Sequence, residues 1–339
     1  MRTLFLTFAV ALALMVQGAW ASPELRDDHP EQYTVQEGDT LWDISARFLK
    51  EPWNWPEIWS ANPDIENPHL IYPGDVLSLV YIDGEPRIVR EPEDRVIRLS
   101  PQIRETPIDT PIPTIPLDAI QSFLSETRIV DEGRLEEAPY IIEGRDRRIL
   151  SGSGDRVYAR GEAAPREVLG IFRRGERYID PDTNEFLGLE ARAIGRGQIS
   201  DINGEILTVD LTRSREEIRS EDRLLPTPDE RITTDFVPSA PDSEIRGKMI
   251  AVEDGVSNIG QYNVVTINRG RREGMQPGHV LAVYKQGEQA RDPVTNEILQ
   301  LPSERAGILM VFRTHERLSY GLVLQANRPL ELMDEVRNP

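Results

Sequence analysis

The stretch that decides the fold of the N-terminal part is residues 33–80, with the sequence YTVQEGDTLWDISARFLKEPWNWPEIWSANPDIENPHLIYPGDVLSLV. Polar and apolar residues alternate at its start, which predicts a short strand. Thr40 followed by Asp43 is typical of a helix N-terminus, and apolar residues then recur at helical spacing. Pro56 suits the first turn of a second helix, and Val76 begins an apolar strand. The segment therefore predicts a small α+β unit with the order strand, helix, helix, strand (βααβ).

This segment resembles the LysM domain, a small module that binds polymers of N-acetylglucosamine. The resemblance rests on Tyr33, Val35, Gly38, Asp39, Thr40, Leu41, Ile44, Trp55, Pro56, Ile58, Asn62, Pro63, Ile71, Pro73, Gly74 and Leu77. In that family the glycan lies in a shallow groove between the loop before the first helix and the loop after the second. The resemblance implies a glycan-binding site formed by Gly38, Asp39, Thr40, Leu41, Pro68, Leu70, Ile71 and Tyr72.

The residue types in this set suit a sugar ligand. Loop backbone groups can hydrogen-bond to acetamido groups, apolar side chains can cover sugar faces, and a glycine lets a ligand approach the backbone. The alternative is that the apolar members fill the core of a small domain. For Leu41 and Ile71 the sequence leaves both interpretations open, and Trp42 also suits a core position.

The N-terminus and the composition limit where this chain works. Residues 1–21 have the features of a secretory signal peptide, with Arg2, an apolar run of about 13 residues and a small-x-small end. That run is shorter than the roughly 20 residues that span a membrane. We therefore expect an exported mature chain without a transmembrane segment. The family resemblances of this chain imply a place in the periplasm, associated with the cell wall and the outer membrane.

Composition excludes several functional classes. The chain has 339 residues, no cysteine and a formal net charge of −19. Without cysteine, it can have neither disulfides nor a cysteine nucleophile, which excludes cysteine-dependent cell-wall peptidases. A strongly acidic protein is repelled by nucleic acid, so we expect no nucleic-acid partner.

The rest of the chain is predicted to be a linker followed by a mainly-β region. Residues 82–116 contain seven prolines among many charged residues, which predicts an extended linker. Beyond it, GERYIDPDTNEFLGL at residues 175–189 and GEQARDPVTNEILQL at residues 287–301 share nine of fifteen positions, at an offset of 287 − 175 = 112. We therefore expect two tandem related β modules, at residues 117–225 and 242–339.

Two further resemblances concern function. The stretch NRGRREGMQPGHVLAVY in the second module is similar to the C-terminal domain of flagellar assembly protein T. The order of parts, together with IPTIPLDAI and GDRVYARG, resembles the LysM-containing secretin-associated proteins of type IV pili. This resemblance implies a non-catalytic, peptidoglycan-binding protein that anchors an outer-membrane secretin to the cell wall. A cell-wall glycan hydrolase and a flagellar-motor collar protein are the alternatives.

No sequence pattern assigns a catalytic residue, a metal or a cofactor. The four histidines lack the spacing of helical zinc ligands, and no G-x-S-x-G occurs. The acidic run at Asp180 begins like a calcium loop, but Glu185 stands where glycine is required. An Asp-Pro hairpin turn is therefore expected there. The many acidic residues leave a catalytic carboxylate pair open, which keeps the hydrolase alternative alive.

Overall fold

The structure is a computed structural model that describes residues 23–59, 71–82, 84–91, 112–120, 127–226, 236–252, 259–287 and 289–339. Across these ranges, helices are short, and none combines the length and apolar character that crossing a bilayer requires.

The N-terminal unit follows the predicted order and adds one strand. Its elements are β1 (Gln32–Thr34), α1 (Leu41–Phe48), a 3₁₀ turn (Pro52–Asn54), α2 (Trp55–Trp59), β2 (Val76–Ile82) and β3 (Glu85–Arg90). The three strands form one antiparallel sheet in the order β1-β2-β3. Its core comprises Val35, Leu41, Ile44, Phe48, Leu49, Trp55, Ile58, Trp59, Ile71, Leu77, Ile88 and Ile112.

Local sequence explains where α1 begins. Gly38 adopts a φ of +92°, which a side chain would strain, and so it turns the chain between β1 and the helix. Thr40 is the N-cap, and its hydroxyl oxygen accepts a hydrogen bond from the Asp43 N–H at 3.1 Å. The N-cap predicted at Thr40 is thus confirmed.

The structure differs from an extended linker at both ends of residues 82–116. Near the start, β3 pairs with β2 in antiparallel register, and Ile88 is fully buried. At the other end, residues 112–116 lie against the N-terminal unit, and residues 117–120 are helical. Residues 92–111 lie outside the described ranges. Proline content alone did not reveal that apolar residues such as Ile88 and Ile112 join the core of this unit.

The C-terminal region is mainly β, as predicted. Its first part contains β4 (Thr127–Val130), α3 (Glu132–Glu137), β5 (Tyr140–Gly144), β6 (Arg156–Arg160), β7 (Val168–Ile179), β8 (Phe186–Asn203), β9 (Ile206–Ser214) and β10 (Arg223–Pro226). These strands form one sheet, and an additional β8–β9 pairing closes six of them into the cyclic order β5-β6-β9-β8-β7-β10. Leu207, Val209 and Leu211, which alternate with polar residues in the sequence, face its core.

The second part is a closed six-stranded barrel. Its strands are β11 (Arg246–Val252), β12 (Val264–Ile267), β13 (Val280–Lys285), β16 (Glu304–Thr314), β17 (Ser319–Ala326) and β18 (Glu335–Arg337). They neighbour one another in the order β11-β12-β17-β16-β13-β18. Counted along the chain, this is the same cyclic order as in the first part. Two more strands, β14 (Gln289–Arg291) and β15 (Ile298–Gln300), form a separate two-stranded sheet.

The barrel is covered on its outside as well as filled inside. Val323 of β17 packs inside the barrel, whereas Tyr320, Leu322 and Leu324 belong to a second cluster on the outer face. That outer cluster includes Trp42 from the LysM-like unit, which is 3% exposed. Both faces of β17 are covered, and every residue from Ser319 to Leu324 is buried.

Polar contacts flank this apolar junction. The Tyr262 hydroxyl lies 3.3 Å from an Asp43 carboxylate oxygen, and Arg305 pairs with Glu51 at 3.2 Å. The Arg305 guanidinium also stacks over the Trp53 ring, 5.1 Å from its centroid. Burial and the neighbouring Asp43 carboxylate raise the pKa of Tyr262, which keeps this hydroxyl protonated as a donor. The N-terminal unit thus docks on the barrel.

Candidate glycan-binding groove

The loop before α1 forms one wall of the candidate groove, and Asp39 determines its shape. The Tyr33 hydroxyl and the Gln36 N–H both donate to Oδ2 of Asp39, each at 2.8 Å. Burial, followed by the hydrogen bond to Asp39, raises the pKa of Tyr33, so this donor stays protonated. Gly38 is exposed and Asp39 is half-buried. Asp39 therefore lies at the predicted place with one carboxylate oxygen committed to the turn.

Thr40 and the first helical residues contribute backbone groups. The Thr40 side chain is buried, and its hydroxyl donates to the Asp43 carboxylate at 2.7 Å while it caps the helix. The N–H groups of Leu41 and Trp42 lie in the first turn of α1, where the helix itself offers no acceptor. These two N–H groups are the donors that this wall presents to a ligand.

The segment that leads into β2 forms the opposite wall. Ile71 is fully buried, and its carbonyl oxygen faces the groove. Tyr72 is half-buried, and its N–H donates to Oδ2 of Asp75 at 3.0 Å. Pro68 and Leu70, which the resemblance also implied, lie outside the described residues.

The structure decides between the two interpretations of Leu41 and Ile71. Both side chains are 0% exposed and belong to the core of the LysM-like unit. They line the groove through backbone atoms, and their side chains fill the core. A unit of this size needs its few large apolar residues for its core, which is why the side chains of Leu41 and Ile71 are internal.

The groove is occupied by a distant part of the same chain, residues 112–116, here called the groove segment. The Ile112 N–H donates to the Ile71 carbonyl at 2.9 Å. The Leu41 N–H donates to the Pro113 carbonyl at 3.0 Å, and the Trp42 N–H to the Thr114 carbonyl at 3.1 Å. The groove segment thus bridges both walls.

Side chains of the groove segment are buried on two sides. Ile112 is 5% exposed and joins the core of the LysM-like unit, whereas Ile115 is 0% exposed and joins the cluster on the barrel. The Thr114 side chain is also buried, yet its hydroxyl has no hydrogen-bond partner among the described residues. A buried, unpaired hydroxyl destabilises the bound position of the segment.

Sequence reasoning missed this occupant. The segment begins 30 residues after the end of β2 (112 − 82 = 30), and the proline-rich, charged composition between them predicted a linker. One signal was present, because the apolar run IPTIP stands out in a stretch that is otherwise rich in charged residues. Another was the pair of helix N-terminal N–H groups, which require some acceptor in any folded state.

The polar groups of the groove match the chemistry of an acetamido sugar. An acetamido substituent is a secondary amide, with one carbonyl acceptor and one N–H donor, like the peptide units that fill the groove now. Two N–H donors and one carbonyl acceptor are therefore correctly placed for amide-bearing ligands. No cluster of three or more potential metal ligands occurs in the described parts of the chain.

Comparison with known proteins supports this assignment for the N-terminal unit. The chain is 37% identical over 60 residues to YqbP, an uncharacterized protein of Bacillus subtilis (strain 168). The matched stretch covers 15% of this chain and 27% of that protein, so the chain spans about a quarter of that relative's length. The family match is to the LysM domain, and it covers residues 33–80. Residues 33–80 of this chain are therefore a LysM domain, as the resemblance implied.

Proposed function

We propose that the LysM domain binds the glycan strands of peptidoglycan, in a state in which the groove segment has left the groove. The observation that carries this proposal is a set of three backbone hydrogen bonds, in which Leu41 and Trp42 donate through N–H and Ile71 accepts through its carbonyl oxygen. A sugar bearing an N-acetyl group offers the same donor and acceptor types. Because both ligands use the same three groups, the glycan and the groove segment exclude one another.

The unpaired hydroxyl of Thr114 favours exchange over permanent occupancy. The segment is held by three main-chain hydrogen bonds and by the burial of Ile112 and Ile115. Against these, the buried hydroxyl loses its hydrogen bonds to water and gains none in the described structure. Glycan therefore competes with a segment whose bound position carries this penalty, and the segment satisfies the same polar groups when glycan is absent.

We further propose that the chain is a non-catalytic periplasmic tether that anchors an outer-membrane secretin to the cell wall. The support is the order of parts in the sequence and its resemblance to secretin-associated pilus proteins. The two six-stranded units, with the same strand order and a shared fifteen-residue repeat, are proposed to be tandem copies of one module. In this proposal the β region contacts the secretin, and the LysM domain contacts the wall.

Sedimentation with purified peptidoglycan sacculi tests the binding step. We expect the purified whole chain to pellet with sacculi and to return to the supernatant when free N-acetylglucosamine oligomers are added. A chain that stays in the supernatant at saturating sacculi, or pellets regardless of competing oligomers, would contradict glycan binding by the groove. Release of soluble sugars from the sacculi during the same incubation would instead favour the hydrolase alternative.

A further inference from the structure

The repeated fifteen-residue motif forms two turns with matching hydrogen bonds. In the first, the Asp180 carboxylate accepts from the backbone N–H groups of Asp182 and Thr183, at 2.8 and 3.1 Å. In the second, the Asp292 carboxylate accepts from Val294 and Thr295, at 2.7 and 3.2 Å. The backbone bonds that close each turn also match, since residue 180 pairs with 185 and residue 292 pairs with 297, each at 2.8 Å.

The first turn is seated on the barrel. The second Asp180 carboxylate oxygen accepts from the Asn268 amide at 3.0 Å and from the Arg269 guanidinium at 3.2 Å. Arg272 forms a two-pronged salt bridge with Glu185, at 2.6 and 2.8 Å. Burial would raise the pKa of Asp180, but the turn N–H groups and Arg269 hold it below its usual value. This carboxylate therefore stays ionised at the junction.

Apolar contacts complete the surface of the barrel that holds the first turn, here called the seat. Leu187, which follows the first turn, is 4% exposed and packs with Leu318 and Ala251 of the barrel. Leu318 immediately precedes β17, and Ala251 lies in β11. The seat thus combines basic and amide groups at the end of β12 with apolar residues from β11 and from the start of β17.

The second turn has the corresponding residues but does not pack against a barrel in the described structure. Leu299 occupies the position of Leu187 but is 47% exposed, and the neighbouring Ile298 is 63% exposed. Within the described chain, neither Asp292 nor Glu297 forms a salt bridge, although their counterparts Asp180 and Glu185 do. Exposed apolar side chains on a two-stranded sheet that stands apart from its barrel mark an interaction surface.

We propose that the hairpin of β14 and β15 docks on the first β module of a second copy of this chain. In that module two exposed residues stand where the first turn is held in the barrel. Arg160 ends β6 with its side chain 55% exposed, as Asn268 and Arg269 follow β12. Ile206 begins β9 at the place of Leu318, is 39% exposed and pairs in register with Arg160, whereas Glu143 takes the place of Ala251 beyond a matching β-bulge.

Residues of opposite charge would meet in this contact. The hairpin brings Asp292 and Glu297, and the corner that receives it brings Arg160, whose present partner is the exposed Glu205. Exposed ion pairs of this kind exchange readily because they are worth little. The chain thus contains one hairpin docked on the barrel, one hairpin without such a contact among the described residues, and one corner whose Arg160 forms an exposed ion pair.

Such a contact is head-to-tail, so it leads to a closed ring or an open filament depending on the rotation between copies. A single hairpin covers less surface than a stable dimer interface, and the association should therefore be weak and dependent on concentration. The whole chain has a mass of 38.5 kDa, which sets the monomer value for the test.

Sedimentation velocity of the purified whole chain tests the proposal. We expect the weight-average mass to rise above the monomer value as concentration increases from about 1 to 200 μM, the range of a weak interface. Leu299→Asp and Arg160→Glu should each abolish this rise. Combining Arg160→Glu with Glu297→Arg should restore it, because the charges are exchanged. Ile149→Asp is the matched control, since Ile149 is 81% exposed outside the hairpin and the corner, and it should associate like the parent.

A monomer at every concentration overturns the proposal. So does association that survives both Leu299→Asp and Arg160→Glu, because it would then use another surface. All four positions are exposed and none belongs to the groove, so circular dichroism spectra of the variants should match the parent. These outcomes are independent of glycan binding and leave that proposal separately testable.

Discussion

Replacing Ile115 by alanine should strengthen glycan binding, although the change lies outside the LysM domain. Ile115 is 0% exposed and holds the groove segment against the cluster on the barrel. Truncating a buried isoleucine to alanine costs about 2–5 kcal/mol. The glycan needs the open groove, so its apparent affinity equals the intrinsic affinity multiplied by the open fraction. If only about 1.4 kcal/mol of the loss falls on the occupied state, affinity rises about tenfold.

Replacing Thr114 by valine should have the opposite effect. Its buried hydroxyl is unpaired within the described structure, and valine keeps the shape while removing the polar atom. Relief of about 1 kcal/mol in the occupied state would weaken glycan binding roughly fivefold. The two neighbouring substitutions thus predict opposite signs, which a general loss of folding cannot imitate.

Titration calorimetry with a defined N-acetylglucosamine oligomer measures both effects, with circular dichroism as a check on folding. Ile149→Ala is the control, because this isoleucine is exposed and removed from the groove segment. Folded Ile115→Ala protein that binds the oligomer no more tightly than the parent would refute competition between segment and glycan. So would a Thr114→Val variant that binds more tightly.

Three further results are expected. Asp180→Ala should lower the free energy of unfolding by about 2–3 kcal/mol in urea denaturation, because it leaves Asn268 and Arg269 without their hydrogen-bond acceptor. Asp292→Ala should lower it by only about 1 kcal/mol, because among the described residues this side chain bonds only within its own turn. Equal losses would contradict the contact of Asp180 with the barrel. Burial, reinforced by Arg313 and Arg271, lowers the pKa of His315 to about 3 in the folded protein, so the unfolded chain binds more protons below about pH 6.5. The free energy of unfolding should therefore fall as pH drops from 7 to 5, and His315→Leu should reduce that fall by roughly 1–2 kcal/mol. An unchanged pH profile in the variant would exclude this group. Unfolding curves monitored by tryptophan emission and by far-UV dichroism should coincide, because Trp42 and Trp53 are buried against the barrel. A tryptophan transition at lower denaturant would mean that the LysM domain unfolds independently.

Local signals were sufficient to predict the LysM unit. Thr40 and Asp43 mark the start of α1 through a cap that involves only four consecutive residues, and the strand β9 shows its alternation directly in sequence. Such features depend on neighbours along the chain, and composition and spacing record them. The repeated motif likewise predicted two turns, because its aspartate bonds to N–H groups two and three residues later.

Contacts between distant segments were not predictable in the same way. Leu41 and Ile71 were assigned to the glycan site by resemblance, and only the packed core shows that they act there through their backbones. Tyr320 and Leu322 lie on the outside of the barrel, in one cluster with Trp42, and no pattern within their own strand indicates that a distant residue covers them. The groove segment was assigned to a linker because no local pattern shows that a proline-flanked apolar run has a receptor elsewhere.

Trp42 has two roles whose combination links the groove of the LysM domain to the barrel. Its main-chain N–H holds the groove segment, and its indole ring lies in the same apolar cluster as Ile115 and the outer face of the barrel. Departure of the segment withdraws Ile115 from that cluster, so occupancy of the groove and docking of the LysM domain are thermodynamically coupled. Coupling of this kind is reciprocal. A partner that weakens the packing of the LysM domain on the barrel raises the affinity for glycan by some factor, and bound glycan raises the affinity for that partner by the same factor. Glycan binding at the LysM domain would therefore change the affinity of the barrel for its own partner.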